Sequence, residues 1–274
     1  MTPTTLTLAA TSPLKVLQLT DCHLMERQGQ TLMGVDTELS LRKTLEYLRG
    51  HHDWPPDLIL LTGDLVQDPF LSSYQRLLSL LEPLEVPWVC LAGNHDDPDM
   101  MKQILCAEGP HCARRIISTH WQILCLNSHR PHSHQGHLAE KELAFLQDTL
   151  MEDRERHALI ALHHPPLSIG STWMDAMQVD NGNEFLELVG GFHQVAGIVF
   201  GHIHQVFCSH HASIKLWSAP STCFQFKPAS DDFALDDRPP GWRWLELHPN
   251  GHIDTRVERI ANPPCGLDFS SPGY

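Results

Sequence analysis

The chain has 274 residues, a length that suits one α/β domain with a substantial core. Its 19 Lys and Arg against 33 Asp and Glu leave a formal charge of −14. That balance argues against a sequence-independent nucleic-acid binder, which needs a basic stripe, and against docking on an anionic membrane. Histidine is the unusual residue: there are 20, more than Lys and Arg together.

The first 13 residues are rich in Thr and Ala, with no basic start and no apolar run, and do not read as a signal peptide. No stretch reaches the roughly 18 apolar residues of a membrane span. A strand is expected over 15–20, and Leu41, Leu45 and Leu48 recur at helical spacing behind a candidate cap, Asp36. Residues 58–62 read as a buried strand, 71–81 as a helix stopping near Pro83, and 86–92 as a strand that tolerates Pro87 at its start. A strand is next expected over 122–126, a helix over 138–150, a strand over 158–162, a short helix over 184–189 and a strand over 197–200. Beyond Ile214 the pattern turns strand-rich. Residues 242–248 and 252–260, joined by Pro249-Asn250-Gly251, read as a hairpin. The eight cysteines form no C-x-x-C pair and several sit in apolar runs, so they read as reduced thiols of a cytoplasmic protein. The stretch 227–241, with Asp231, Asp232, Asp236 and Asp237, reads as a solvated surface loop.

The polar residues just past the apolar strands form the informative pattern. The strand at 15–20 runs into Asp21-Cys22-His23, and 58–62 into Gly63-Asp64. The strand at 86–92 runs into Gly93-Asn94-His95-Asp96, 158–162 into His163-His164-Pro165-Pro166, and 197–200 into Gly201-His202-Ile203-His204. Open α/β sheets bind ligands outside the carboxyl ends of their strands. Imidazole and carboxylate groups gathered there suit zinc, iron or manganese, and the lack of paired thiolates disfavours a structural zinc site. Asp21, His23, Asp64, Asn94, His163, His202 and His204 make seven ligands, too many for one metal with an open position. They fit two metals about 4 Å apart that share one carboxylate, and Asp64 is the natural bridge because a carboxylate has two oxygens. Asp-x-His and His-x-His at the ends of extended segments would place both side chains on one face.

These motifs, in this order, resemble the calcineurin-like metallophosphoesterase family, with the match running from about 15 to 205. The phrase Pro220-Ser221-Thr222-Cys223-Phe224-Gln225-Phe226-Lys227-Pro228, with Gly34-Val35-Asp36, Gly241-Trp242-Arg243 and Leu245-Glu246-Leu247-His248, resembles its bacterial class III 3′,5′-cyclic-AMP phosphodiesterase branch. The resemblance implies a four-layer α-β-β-α sandwich, as a single α/β domain over 14–260 with a strand-rich C-terminal part, and loosely ordered termini at 1–13 and 261–274. It implies two divalent cations, Fe2+ and/or Mn2+ with Zn2+ acceptable. The first would be held by Asp21, His23, Asp64 and His204, the second by Asp64, Asn94, His163 and His202. His163 is preferred because the family's ligand stands two positions before a proline; Pro166 leaves His164 eligible. The implied reaction is hydrolysis of 3′,5′-cyclic AMP to 5′-AMP by a hydroxide bridging the metals. His95 would stabilise a phosphoryl oxygen or protonate the leaving oxygen, and Asp96 would orient the His95 ring. His23, Asp64, Asn94, His95 and His204 would lie nearest the bound phosphate.

The motifs handle the phosphate and not the leaving group, so a broader phosphodiesterase acting on glycerophosphodiesters or 2′,3′-cyclic nucleotides is the alternative. A non-catalytic metal-binding scaffold fits less well, because every ligand position is intact. The expected partner is a small cyclic nucleotide, with no nucleic acid and no membrane, and the chain is expected to be a monomer or a homodimer. Fourteen histidines match no motif. Among them His132, His134 and His137 form a candidate substrate rim or adventitious metal site. The tryptophans read as packing, with Trp173 a candidate for contact with a nucleobase.

Overall fold

The computed structural model describes residues 5–9, 11–107 and 109–273. In chain order the elements are β1 (Thr5–Thr7), β2 (Leu14–Leu19), the ribbon β3 (Thr31–Leu32) and β4 (Val35–Asp36), α1 (Thr37–Arg49), β5 (Leu58–Thr62), α2 (Leu71–Leu81), β6 (Trp88–Leu91), α3 (Pro98–Ile104), β7 (Arg115–Ile117) and β8 (Trp121–Cys125). Then come α4 (Glu140–Glu152), β9 (His157–Ala161), α5 (Thr172–Asp175), α6 (Gly182–Gly190), β10 (Val195–Phe200), β11 (Phe207–His211), β12 (Ile214–Ser218), the ribbon β13 (Gln225–Phe226) and β14 (Leu235–Asp236), β15 (Gly241–Leu247) and β16 (Ile253–Arg259).

Two sheets hold the site between them. One has the order β16-β15-β2-β5-β6, the other β1-β7-β8-β9-β10-β12-β11. Each has a parallel centre and antiparallel additions: β2, β5 and β6 run parallel in one, β8, β9, β10 and β12 in the other. The hairpin β15–β16 closes on Asn250-Gly251 and adds β15 antiparallel to β2, so the strand-rich C-terminal part returns to the N-terminal sheet.

Alternation along the central strands sorts their side chains into layers. Val16, Leu58, Leu60 and Val89 face Ile123, Leu159, Val199 and Trp217 in the core between the sheets. The opposite faces, Leu17, Leu19, Ile59 and Leu61, pack on Leu41, Leu45 and Leu48 of α1 and on Leu77 and Leu81 of α2. Ile160, Ile198 and Phe200 pack on Leu146 and Leu150 of α4 and Phe185 and Val189 of α6. Helix, sheet, sheet, helix is the four-layer arrangement the resemblance implied. The Asp36 cap is realised, its side chain accepting from the Leu39 N–H at 2.9 Å.

Three expectations need amending. Cys106 and Cys112 form a disulfide across the turn before β7, with Cα atoms 5.8 Å apart, so not every thiol is free. The other six are, and Cys22, Cys90, Cys125 and Cys223 are buried. Within the N-terminal segment, Thr5–Thr7 pairs with Arg115–Ile117 as an edge strand; residues 1–4 lie outside the described residues. The acidic stretch 227–241 is no free loop, since it carries Phe233 against the core. Among the described residues no helix is long and apolar enough to cross a membrane.

Candidate metal centre

The carboxyl ends of β2, β5 and β6 meet those of β9 and β10 along one edge. The turns leaving them are laced together by their backbones. Asp21 N–H donates to Gly63 O, His23 N–H to Asp64 O and Gly201 N–H to His163 O, each at 3.0 Å. This lacing holds unusual backbone. Asp21, His23, Asp64, His202 and His204 all sit in the left-handed region, with φ of 54°, 47°, 49°, 67° and 47°. Each such non-glycine residue costs about 1–3 kcal/mol. The expectation that Asp-x-His and His-x-His share a face as extended strand is therefore corrected. The strands have ended, and the side chains converge because their backbones turn. Gly63, at φ +92°, and Gly93 let the turns approach; a Cβ on Gly93 would fall on the Asp64 carboxylate.

Two ligand groups result. His23 Nε2 lies 3.1 Å from His204 Nε2, and His204 Nε2 lies 3.5 Å from Asp21 Oδ1. His163 Nε2 lies 3.2 Å from Asn94 Oδ1 and 3.3 Å from His202 Nδ1. Asp64 joins them, with Oδ2 3.7 Å from His23 Nε2 and 3.3 Å from His163 Nε2. One oxygen, not two, faces both groups, because Oδ1 is held by the His95 backbone N–H at 3.0 Å. Asp21, His23, Asp64, His163, His202 and His204 are buried and Asn94 is half-buried. All seven predicted ligands are thus brought together, His163 among them. His164 stays beside them: its Nδ1 lies 2.8 Å from Ser128 Oγ, and it offers a ligand atom within 4.8 Å of those of His163 and His202.

The histidines are aimed by neighbours that sequence motifs did not mark. His23 Nδ1 lies 2.9 Å from Gln67 Oε1, His163 Nδ1 2.8 Å from Thr62 O and His204 Nδ1 2.9 Å from Phe224 O. Each oxygen takes the Nδ1–H and turns the Nε2 of its ring inward. Only Phe224 carried a sequence signal, lying in the phrase that supported the resemblance.

Electrostatics fit a cation site. Burial pulls His23 down to about 3 and His202 and His204 well below the usual imidazole range, which leaves their lone pairs free of protons. Burial pushes Asp21 up to about 8, with the Asp64 charge adding to the rise against the pull of His163. Burial would also lower His163, but the Asp64 carboxylate outweighs it and holds His163 at about 9. A proton on His163 thus compensates Asp64, and Asp21 resists ionising. Two buried carboxylates beside three neutral imidazoles, with a fourth whose proton a cation could replace, are a donor set that divalent cations satisfy.

Asp96 does a different job from the one expected. It accepts from Gly93 N–H at 2.9 Å, Leu65 N–H at 3.1 Å and Tyr74 OH at 3.1 Å, fastening the turn that carries Asn94. The His95 ring is placed instead by the Gln67 carbonyl, 2.9 Å from Nδ1. The carboxylate is consumed by two backbone donors before it can reach the ring. Above the ligands lies a cleft walled by Asp64, Asn94 and His95 and by Trp173, Phe226 and Phe233. His134 reaches its rim, with Nδ1 3.1 Å from Asn94 Nδ2. His132 and His137 do not join the ligand groups; His137 pairs with Asp180 at 2.6 Å.

This sandwich, with its paired ligand groups at one strand edge, is the architecture of a metallophosphoesterase. The chain belongs to the calcineurin-like phosphoesterase family, whose pattern it matches over residues 14–206. Among curated proteins it is 39% identical to the 3′,5′-cyclic adenosine monophosphate phosphodiesterase CpdA of Vibrio vulnificus, covering 95% of each chain. It is 39% identical to the enzyme of the same name from Escherichia coli K12, covering 98% of each. Among solved structures it resembles a dimetal phosphatase from Danio rerio, with a TM-score of 0.60 at 12% identity, covering 92% of this chain and 100% of that one, a likeness of fold alone. The family implies a dimetal centre, and the His and Asp groups here can hold metal ions.

Proposed function

We propose that the chain is a metal-dependent phosphodiesterase that hydrolyses 3′,5′-cyclic AMP to 5′-AMP. The observation that carries the reading is the convergence of two ligand groups on Asp64 Oδ2, each with an imidazole Nε2 aimed by an oxygen behind the ring. Similarity along nearly the whole chain to proteins named as cyclic-AMP phosphodiesterases supports the substrate.

In this reading Asp21, His23, Asp64 and His204 hold one cation, and Asp64, Asn94, His163 and His202 the other. Fe2+, Mn2+ or one of each would fill the two positions, and the same ligands would also suit Zn2+. Bound there, the pair supplies Lewis-acid polarisation of the phosphodiester and a water of lowered pKa. The chain's own work is orientation and proton handling. Asn94 and His95 lie at the mouth of the ligand groups, where the phosphate must enter. Hydrolysis adds a hydroxyl to phosphorus, breaks the bond to the ribose 3′ oxygen and leaves that oxygen in need of a proton. With Nδ1 committed to the Gln67 carbonyl, Nε2 is the His95 atom that can deliver it. Asp96 is a positioning residue and not part of this chemistry. A cytoplasmic setting belongs to the same proposal, resting on six free cysteines, four of them buried.

The test is turnover of 3′,5′-cyclic AMP, 2′,3′-cyclic AMP and bis-p-nitrophenyl phosphate by protein loaded with Mn2+ or Fe2+. The highest kcat/KM is expected on 3′,5′-cyclic AMP. Equal rates on all three would replace the proposal with a broad phosphodiesterase, and inactivity on all three would remove the enzyme.

A further inference from the structure

The buried ligands explain how a phosphate is held and leave the other wall of the cleft unexplained. That wall is built of three rings from three segments: Trp173 on α5, Phe226 on β13 and Phe233 on the loop between β13 and β14. Phe226 lies nearly flat on the His204 ring, centroids 4.3 Å apart and planes 23° apart. Trp173 meets Phe226 edge-on at 5.1 Å and Phe233 edge-on at 5.4 Å. An aromatic surface therefore begins one ring away from the metal ligands and runs outward.

Two hydrogen bonds fasten the segments that carry the outer rings. Ser171 Oγ donates to Ser230 O at 2.6 Å, and Thr172 Oγ1 donates to Asp231 Oδ1 at 2.7 Å. The second is exposed, so water competes for both partners and opening it costs little. Behind it the space is small, about 40 Å³. The indole Nε1–H of Trp173 is shielded from solvent and, among the described residues, has no acceptor, as holds also for Trp242 and Trp244 in the core. Buried indole N–H groups normally find one. Three rings in edge-on contact beside the ligand groups, closed over by a weak exposed latch, describe a surface that can open for a flat, apolar-faced ligand.

We infer, building on the phosphodiesterase reading, that Trp173, Phe226 and Phe233 form the nucleobase subsite. The base enters between Trp173 and Phe233, parts the Thr172–Asp231 latch, lies against the aromatic wall and brings the acceptor that Nε1–H lacks. Trp173 and Phe233 are then specificity-determining residues: they separate nucleotides from phosphodiesters that have no base, a distinction the metal ligands cannot make.

The test is binding, measured by calorimetry on Mn2+-loaded protein with 5′-AMP and with ribose 5-phosphate, which lacks the base. The wild type should bind 5′-AMP about 10- to 100-fold more tightly. Trp173→Ala and Phe233→Ala should each remove most of that gap while leaving the Kd for ribose 5-phosphate unchanged. Trp173→Phe should keep part of it, since the ring remains and the donor goes. Equal affinities in the wild type would overturn the inference, as would a full gap in Phe233→Ala, whose folding is checked by its unchanged Kd for ribose 5-phosphate. Binding is read apart from turnover, so the outcomes separate. A protein that cleaves bis-p-nitrophenyl phosphate and not 3′,5′-cyclic AMP breaks the functional proposal. One that cleaves 3′,5′-cyclic AMP and shows no base gap breaks only this inference.

Discussion

Among the described residues, the histidine and carboxylate groups at the strand edge and at the outer corner differ in how far they suit a cation. At the strand edge Asp21 and Asp64 are buried and are met by imidazoles and backbone N–H groups; among the described residues no Lys or Arg joins them. At the outer corner His51, His52 and Asp53 also bring ligand atoms together. There Asp53 is already met by the Arg256 guanidinium and lies 3.9 Å from Lys15 Nζ, while His51 Nε2 is paired with Glu258 at 2.9 Å. His52 is 78% exposed. A metal at the corner would have to displace a guanidinium and would gain little in water; a metal at the edge relieves buried charge. Ligand type alone does not make a site. What distinguishes the two is whether fixed cations have already answered the carboxylates.

The largest effect should come from Asp64, whose single oxygen serves both ligand groups. Asp64→Ala should take bound metal from two equivalents toward none and lower turnover of 3′,5′-cyclic AMP by at least about 1,000-fold, measured by elemental analysis and kcat. Two metals retained in that variant would break the bridge. His95→Ala sharpens the contrast within the edge itself. It should keep both metals and lose about 100- to 10,000-fold in kcat, as expected for a proton donor. Loss of metal there would show that His95 is a ligand or a structural support.

Much of this edge was legible because strand ends are punctuated. Runs such as Leu58–Thr62 are too apolar to misread, and the Gly-Asp, Gly-Asn-His and Gly-His beyond them are chemically loud. The sequence pattern also placed the Asp36 cap and the Asn250-Gly251 turn, since both are local devices whose partners lie within four residues. Less was legible where partners are distant. Gln67 aims His23 from 44 positions away, and Asp96 turned out to hold Leu65 from 31 positions away. The left-handed turn at Asp21 carries no glycine to announce it; the tertiary hydrogen bond from its N–H to Gly63 O holds it. Helix α3, at seven residues, was too short to show a period, although Asp97-Pro98 caps its start. Phe233 was hidden among aspartates.

The corner cluster offers the converse test. Replacing both His51 and His52 by Ala should leave two metals per chain and kcat within about twofold of the wild type. Thermal midpoint should fall by no more than about 4 °C, because the lost contacts are the His51–Glu258 polar contact near the surface and a stacked ring. A drop to one metal would erase the distinction between the two clusters.

The smallest effect tests whether arginine-answered carboxylates behave as ordinary surface pairs. Asp153 takes a hydrogen bond from Arg156 at 2.6 Å and another from Arg115 at 2.9 Å. Partial burial nudges its carboxyl upward, but the two guanidiniums outweigh that and hold it below the usual range. The folded value is therefore lower than the unfolded one. Its stabilisation is fully present above the unfolded value, near pH 4, and is lost as pH falls through the folded value. Asp153→Asn should cost about 1 kcal/mol at pH 7, read as a shift in urea midpoint. The gap between variant and wild type should close as the pH is lowered below about 4. A gap that stayed constant from pH 7 to pH 3 would mean that the amide had lost packing, and that the charge on Asp153 had contributed nothing.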